Sequence, residues 1–216
     1  MSISTRAKTY TAAAALTILA STGAVVHFTV PAEGVGPVES AITGEQSARY
    51  KRAFLDFAMS ADDFRTVAYP DSGGVWTICY GTTIYPDGRR VQRGDTATRE
   101  QCEQYIEHHY ETRVYPVMIS LLGDVCLPLM WYAGIADHVY NNGRLKGTNV
   151  LRAARARDCA GLAAAFKQWT KVRKHGVLVF EPGLLNRAMR RVGLLKCGEV
   201  EFDDSTCPTR GEVKTA

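Results

Sequence analysis

The sequence predicts an α+β protein: a small antiparallel sheet lobe, a mostly helical lobe, a cleft between them, and an apolar helix ahead of both. Three observations carry that expectation. Short β-like runs separated by Gly- and Pro-containing turns cluster within residues 66–92. Apolar spacing of helical period dominates from residue 99 onward, and an uncharged run occupies residues 9–32.

The uncharged run follows Arg6 and Lys8. Of residues 11–30, twelve are Ala, Gly, Ser or Thr and only seven are Leu, Ile, Val or Phe. About 20 uncharged residues span a bilayer as a helix, and the basic flank keeps the N-terminus cytoplasmic while sending the rest outward. The run is longer than the ~7 to 15-residue core of a signal peptide, yet poor in large aliphatics. Residues 1–32 therefore read as a retained, weakly held anchor in the inner membrane, with a signal cleaved near Ala24 as the alternative. Export to the periplasm follows from either. Residues 33–45, rich in Pro and Gly, read as a linker. A folded domain is expected over 46–196 and a polar tail over 197–216.

Within the domain, Tyr50, Phe54, Phe57 and Ala58 recur at helical spacing, so a helix should end near Ser60. "TVAY", "VWTICYG" and "RRVQ" are strand-like, separated by Ser72-Gly73-Gly74 and Pro86-Asp87-Gly88 turns. Thr98 and Gln101 form a capping box before a helical pattern through residue 122, which Pro116 should kink or divide. Residues 127–143 read as a largely buried helix closed by Asn142-Gly143, and 149–157 as another. Asp158 can cap a helix over 159–172, where Leu162, Ala165, Phe166 and Trp169 share one face. The last helix enters through Pro182.

Composition narrows the function classes. Hydrophobic content of 46% and 22% charged residues are those of a globular protein. A net charge of +4 is too small to point to nucleic acid. The six cysteines contain no C-x-x-C pair, which argues against zinc ribbons and thioredoxin-like motifs. An even count in an exported chain fits up to about three disulfides, while six buried thiols are the alternative. Cys197 and Cys207 could close the tail locally. His108, His109 and Glu111 invite a metal reading, but adjacent helical residues point about 100° apart, so a solvated face is expected. No metal, cofactor or nucleic-acid partner is expected, and the chain reads as a monomer. Trp76, Trp131 and Trp169 read as packing residues.

One stretch carries chemistry. In "DDFRTVAYPDSGGVWTICYGTT", residues 62–83, Asp62, Asp71 and Thr77 fall at the spacing D-x8-D-x5-T. Glycosidic hydrolysis needs one carboxylic acid to protonate the leaving oxygen and a second carboxylate to activate water or stabilise the oxocarbenium-like transition state. A returning hairpin would bring Thr77, with a hydroxyl able to hold water, beside both acids. Aspartates in turns also arise simply as backbone caps.

This segment resembles the active-site hairpin of the phage-type lysozymes, glycoside hydrolase family 24. The matching residues are Arg65, Ala68, Tyr69, Asp71, Gly74, Trp76, Thr77, Ile78, Cys79, Tyr80, Gly81 and Thr83. The likeness continues in "GDTATREQC", "YNNG", "FKQW" and "PGLLNR", covering about residues 50–195. The resemblance implies a lysozyme-like fold and an endolysin cleaving the β-1,4 bond between N-acetylmuramic acid and N-acetylglucosamine in peptidoglycan. It puts the family's catalytic Glu on Asp62, its catalytic Asp on Asp71 and its catalytic Thr on Thr77. Tyr140 and Asn141, in the matched "YNNG" turn, could line the sugar cleft. The N-terminal run is similar to the signal-arrest-release segments of exported endolysins.

The departures are specific. Asp62 is one methylene shorter than Glu, which sets its carboxyl group back by roughly 1.5 Å, and a misplacement of about 1 Å can cost 100-fold in rate. Asp63, in place of Gly, adds a charge expected to raise its neighbour's pKa. Thr82, Ala188 and Arg191 also depart from the pattern. They leave an alternative of a different class, a disabled muramidase fold that binds peptidoglycan without cleaving it.

Overall fold

The structure is a computed structural model, and it describes residues 44–123, 125–174 and 176–200. The expected N-terminal helix, most of the linker and residues 201–216 lie outside the described residues. Among the described residues no helix is long and apolar enough to cross a membrane.

The described residues open with α1, Gly44–Ala61. Its buried Tyr50, Phe54, Leu55, Phe57 and Ala58 recur three and four residues apart, which fixes the face turned to the core. Strands β1, Arg65–Pro70, and β2, Trp76–Cys79, form the first antiparallel pair, with Tyr69 opposite Thr77 and Pro70 opposite Trp76. The register shifts between Arg65 and Tyr69, a bulge of the kind that re-aims side chains beside a site.

The expected third strand at "RRVQ" does not form. Ile84↔Arg90 and Val67↔Thr96 are isolated bridges. The loop folds instead around Asp95, whose Oδ2 accepts bonds from Tyr85 Oη, Arg89 Nη1 and Gln92 N at 3.0, 3.1 and 2.9 Å. A charged centre with three donors holds the segment in a turn rather than a ladder.

Helix α2, Arg99–His109, starts at the Thr98–Gln101 capping box. A π-helical turn, Tyr110–Val114, joins it to α3, Tyr115–Leu122. Pro116 accounts for that division: it has no N–H to donate, and its ring would clash with a carbonyl of the preceding turn. Helix α4, Leu129–Asn142, ends on Gly143 at φ 64, a left-handed cap. Helix α5, Asn149–Arg155, is capped by Thr148, and α6, Cys159–Phe166, by Asp158.

The helix expected to run on to residue 172 stops at Phe166. Lys171–Lys174 and Val177–Phe180 form a second hairpin, β3–β4, and α7, Pro182–Leu195, follows. Helix α4 packs on α1 and α7, and α6 on α5 and α7. Phe54, Ile78, Ile106, Trp131, Ile135 and Phe166 are fully buried among them.

Two disulfides tie elements together: Cys79 of β2 to Cys102 of α2, and Cys159 of α6 to Cys197 beyond α7. The second corrects the expected Cys197–Cys207 closure, because Cys197 is held against α6 instead. Cys126 is also disulfide-bonded. Trp131 lies in the core, its indole N–H bonded to Leu195 O at 2.9 Å. Trp76 and Trp169 pack partly buried against that core.

Candidate active site

Asp62 follows directly on α1, where the chain turns into β1. Its side chain retains 20% exposure, and Oδ1 accepts an ion-paired hydrogen bond from Arg187 Nη1 of α7. Arg187 forks onto a second carboxylate, Asp137 of α4, with Nε 3.1 Å from Oδ2 and Nη2 bonded to Oδ1. Arg191, one helical turn on, donates Nε to Asp137 Oδ2 at 2.7 Å and Nη2 to the Asp137 carbonyl at 3.2 Å. Asp137 is fully buried, and Arg187 and Arg191 nearly so. Four charges from the end of α1, α4 and α7 thus form one network.

The two acids respond differently to burial. Burial raises the Asp62 pKa, Arg187 offsets only part of that, and the Asp137 charge adds to it. Its other oxygen, Oδ2, is buried and meets no donor of the protein, which penalises the anion further. Burial also pushes Asp137 upward, but the two guanidinium groups outweigh it and hold that carboxyl below its ordinary value. Asp63 was expected to be the perturbing charge. It is exposed, and burial, Arg187 and Asp137 act on Asp62 instead.

Asp71 sits at the turn between β1 and β2. Its Oδ1 accepts from Gly73 N and Val75 N, both at 2.8 Å, while its backbone N–H bonds Val75 O at 2.9 Å. The carboxylate thereby builds the turn that holds it, helped by Gly74 at φ 80. Both bonds fall on Oδ1. Thr77 is 4% exposed, and its hydroxyl donates to Val75 O at 3.0 Å, leaving its lone pairs to accept.

Tyr69 stands opposite Thr77 in the β1–β2 pair. Its phenol is pushed up by burial and then by the charges of Asp62, Asp63 and Asp71, which places it within electrostatic reach of both site acids. Arg65 covers its ring at 4.4 Å.

Tyr140, at the end of α4, donates its hydroxyl to Tyr80 O at 2.6 Å. Burial and the Asp62 charge raise its pKa. A Cβ on Gly81 would lie 3.5 Å from Asp62 Oδ2 and 3.7 Å from Tyr140 Oη, so Gly81, at φ 93, leaves room for both. Asn141 is exposed on the last turn of α4. His109, expected on a solvated face, is half-buried and meets the Tyr140 ring edge-on at 4.8 Å; burial depresses its pKa. Among the described residues no cluster of three potential metal ligands exists.

Asp137 was missed in the sequence. The signal was present: an acid within the apolar run "WYAGIADHVY" must be exposed or paired.

Asp62 precedes the hairpin that carries Asp71 and Thr77, so one short segment presents two carboxyl groups and a hydroxyl, groups that glycosidic hydrolysis can use. The chain belongs to the phage lysozyme family, whose model matches residues 59–191. It is similar to a SAR-endolysin of Pseudomonas phage phiKMV, 32% identical over 149 residues that make up 68% of this chain and 87% of that protein. An endolysin of Acyrthosiphon pisum secondary endosymbiont phage 1 is 27% identical over 139 residues, 62% of this chain and 89% of that one. Among solved structures, an endolysin from Escherichia coli O157:H7 phage FAHEc1 aligns with a TM-score of 0.57 at 26% identity. That alignment covers 73% of this chain and 95% of the other.

Proposed function

We propose that this protein is an endolysin that hydrolyses the β-1,4 bond between N-acetylmuramic acid and N-acetylglucosamine in peptidoglycan. The observation that carries the reading is Asp62, a carboxyl group whose pKa burial raises and which pairs with Arg187 at the entry to the β1–β2 hairpin that holds Asp71 and Thr77. Asp62 donates its proton to the leaving glycosidic oxygen as the bond to the anomeric carbon breaks. Thr77 holds the incoming water, and Asp71, with Oδ2 outside the turn bonds, stabilises the positive ring and accepts the water's proton. Arg187 supports the Asp62 carboxylate once the proton has left. In this reading Tyr140, whose hydroxyl borders Gly81 beside Asp62, and Asn141 next to it contact the sugar.

The relatives that this chain resembles are named endolysins, so the disabled-fold reading is not favoured. The catalytic domain extends over residues 46–196. The phiKMV relative, by its name a SAR-endolysin, supports export to the periplasm with tethering through residues 1–32.

Cell-wall clearing tests the assignment. Asp62→Asn is expected to lose at least about 100-fold in rate, the range general acid catalysis supplies. Clearing at the parental rate would remove Asp62 from the mechanism. Asp62→Glu separates two further cases: a gain marks a site still shaped for the longer acid, and a loss marks one rebuilt around Asp.

A further inference from the structure

The β3–β4 hairpin belongs neither to the core nor to the acid site. All four residues of β4 are exposed: Val177 by 64%, Leu178 by 56%, Val179 by 39% and Phe180 by 51%. The register pairs Lys171 with Phe180 and Arg173 with Leu178. Successive strand residues alternate faces and directly paired residues share one. Lys171, Arg173, Leu178 and Phe180 therefore form one face, and Val172, Lys174, Val177 and Val179 the other.

The second face has neighbours. A Cβ on Gly73 would come within 4.0 Å of Val172 Cγ2, and Lys174 pairs with Glu181 at 3.2 Å. Glu181 also bonds the Ser72 side chain. This face abuts the Asp71 turn. The first face has two cations without a carboxylate partner among the described residues: Lys171, and Arg173, whose Nη1 donates to the Gly176 carbonyl.

We propose that the face of Lys171, Arg173, Leu178 and Phe180 docks on an anionic phospholipid surface. Its cations require anions and its Leu and Phe require an apolar phase, and a bilayer interface supplies the two side by side. Long basic side chains reach headgroups while their stems and the neighbouring apolar groups sit deeper. An acidic glycan or peptide would pair with the cations but leave Leu178 and Phe180 in water. A second copy would set like charges against each other. Residues 1–32 contain Arg6 and Lys8 and no Asp or Glu, so they offer these cations no counter-charge. Docking would hold the Asp71 turn close to the membrane, and it does not depend on the enzymatic reading.

The test uses the full chain carrying Phe180→Trp, with the parent as the background for its own three tryptophans. Vesicles of phosphatidylglycerol and phosphatidylethanolamine, brominated along the acyl chains, are expected to quench the new indole and shift its emission to the blue. The effect should be lost with phosphatidylcholine alone, in high salt, and in a variant adding Lys171→Gln and Arg173→Gln. Leu178→Ser should weaken it while the far-UV spectrum stays unchanged. An unquenched indole on protein that still cosediments with the anionic vesicles would overturn the proposal, because the attachment would then lie elsewhere. A blue-shifted indole without vesicles would overturn it too, by showing that another part of the chain or a second copy covers the face.

Discussion

Asp62 has one methylene fewer than the residue its position resembles, and its environment stabilises the acid over the anion. That preference has a cost in stability that mutation can expose. A folded-state pKa above the unfolded value of about 3.9 means the folded chain holds the proton more tightly, so folding is penalised once pH rises through the raised value. Asp62→Asn is therefore expected to raise the melting temperature at pH 7 and to leave it nearly unchanged well below pH 4, while clearing falls by the expected factor of about 100 or more. Equal shifts at both pH values would place the effect in packing rather than charge. Asp137→Asn should behave in the opposite sense. It leaves Arg187 and Arg191 buried with one full counter-charge fewer, a loss of about 3–5 kcal/mol, read by denaturant titration. The residue scale was legible where partners are near in sequence: Asp71, Thr77 and the Val75 backbone form one turn, and their spacing disclosed it. Arg187 reaches Asp137 across 50 residues and Asp62 across 125, a pairing that only tertiary packing creates.

The β1–β2 hairpin is short, and β2 has only four residues to hold Thr77. Its far end is pinned by the Cys79–Cys102 bridge, with Cys79 itself at φ 60, a conformation that non-glycine residues adopt at a cost. Losing the bridge frees Cys79 to relax toward an ordinary φ and carries Thr77, two residues away, with it. Cys102→Ser is expected to cost about 3 kcal/mol, the usual range for a bridge closing a loop of this size. Clearing activity should fall at denaturant concentrations where far-UV ellipticity is still native. Parallel loss of both signals would mean that the bridge stabilises the molecule without securing the hairpin. Capped helices such as α2 and α6 announced their starts through Thr98 and Asp158. Their ends were less legible. Val172 continues the apolar helical period of Leu162, Phe166 and Trp169, and only the pairing of Lys171–Lys174 with Val177–Phe180 makes that segment a strand. "RRVQ" looked like a strand until Asp95 gathered its donors.

At the scale of the whole molecule, the charged network joins the end of α1 to α4 and α7, so its titration should report on folding. Asp137 has a folded pKa below its unfolded value. Its stabilisation is present above about pH 4 and is lost as pH falls through the lower folded value. Acid unfolding should thus be cooperative and should steepen below pH 4, and Asp137→Asn should flatten it. The N-terminal run sets a separate whole-chain property. Only seven large aliphatic or aromatic residues lie within residues 11–30, and each Ala-to-Leu change adds about three carbons at roughly 0.8 kcal/mol each when buried. Fractionation should find the full-length protein divided between membrane and soluble periplasm. Replacing Ala12, Ala14, Gly23 and Ala24 by Leu should move it to the membrane and delay lysis. A soluble pool shortened by the length of a signal peptide would rule the tether out.

Arg187 is shared between a permanent charge and an intermittent one. Asp137 stays ionised throughout, whereas Asp62 alternates between acid and anion in each turnover of the proposed cycle. Because the guanidinium already touches both, it need not travel when the proton leaves; only the balance of attraction along its fork changes. The dipoles that receive the new charge are in place beforehand, anchored from behind by a carboxylate that never titrates in the working range. Proton release then requires little nuclear rearrangement, and the rate should respond more to the acidity of Asp62 than to solvent viscosity.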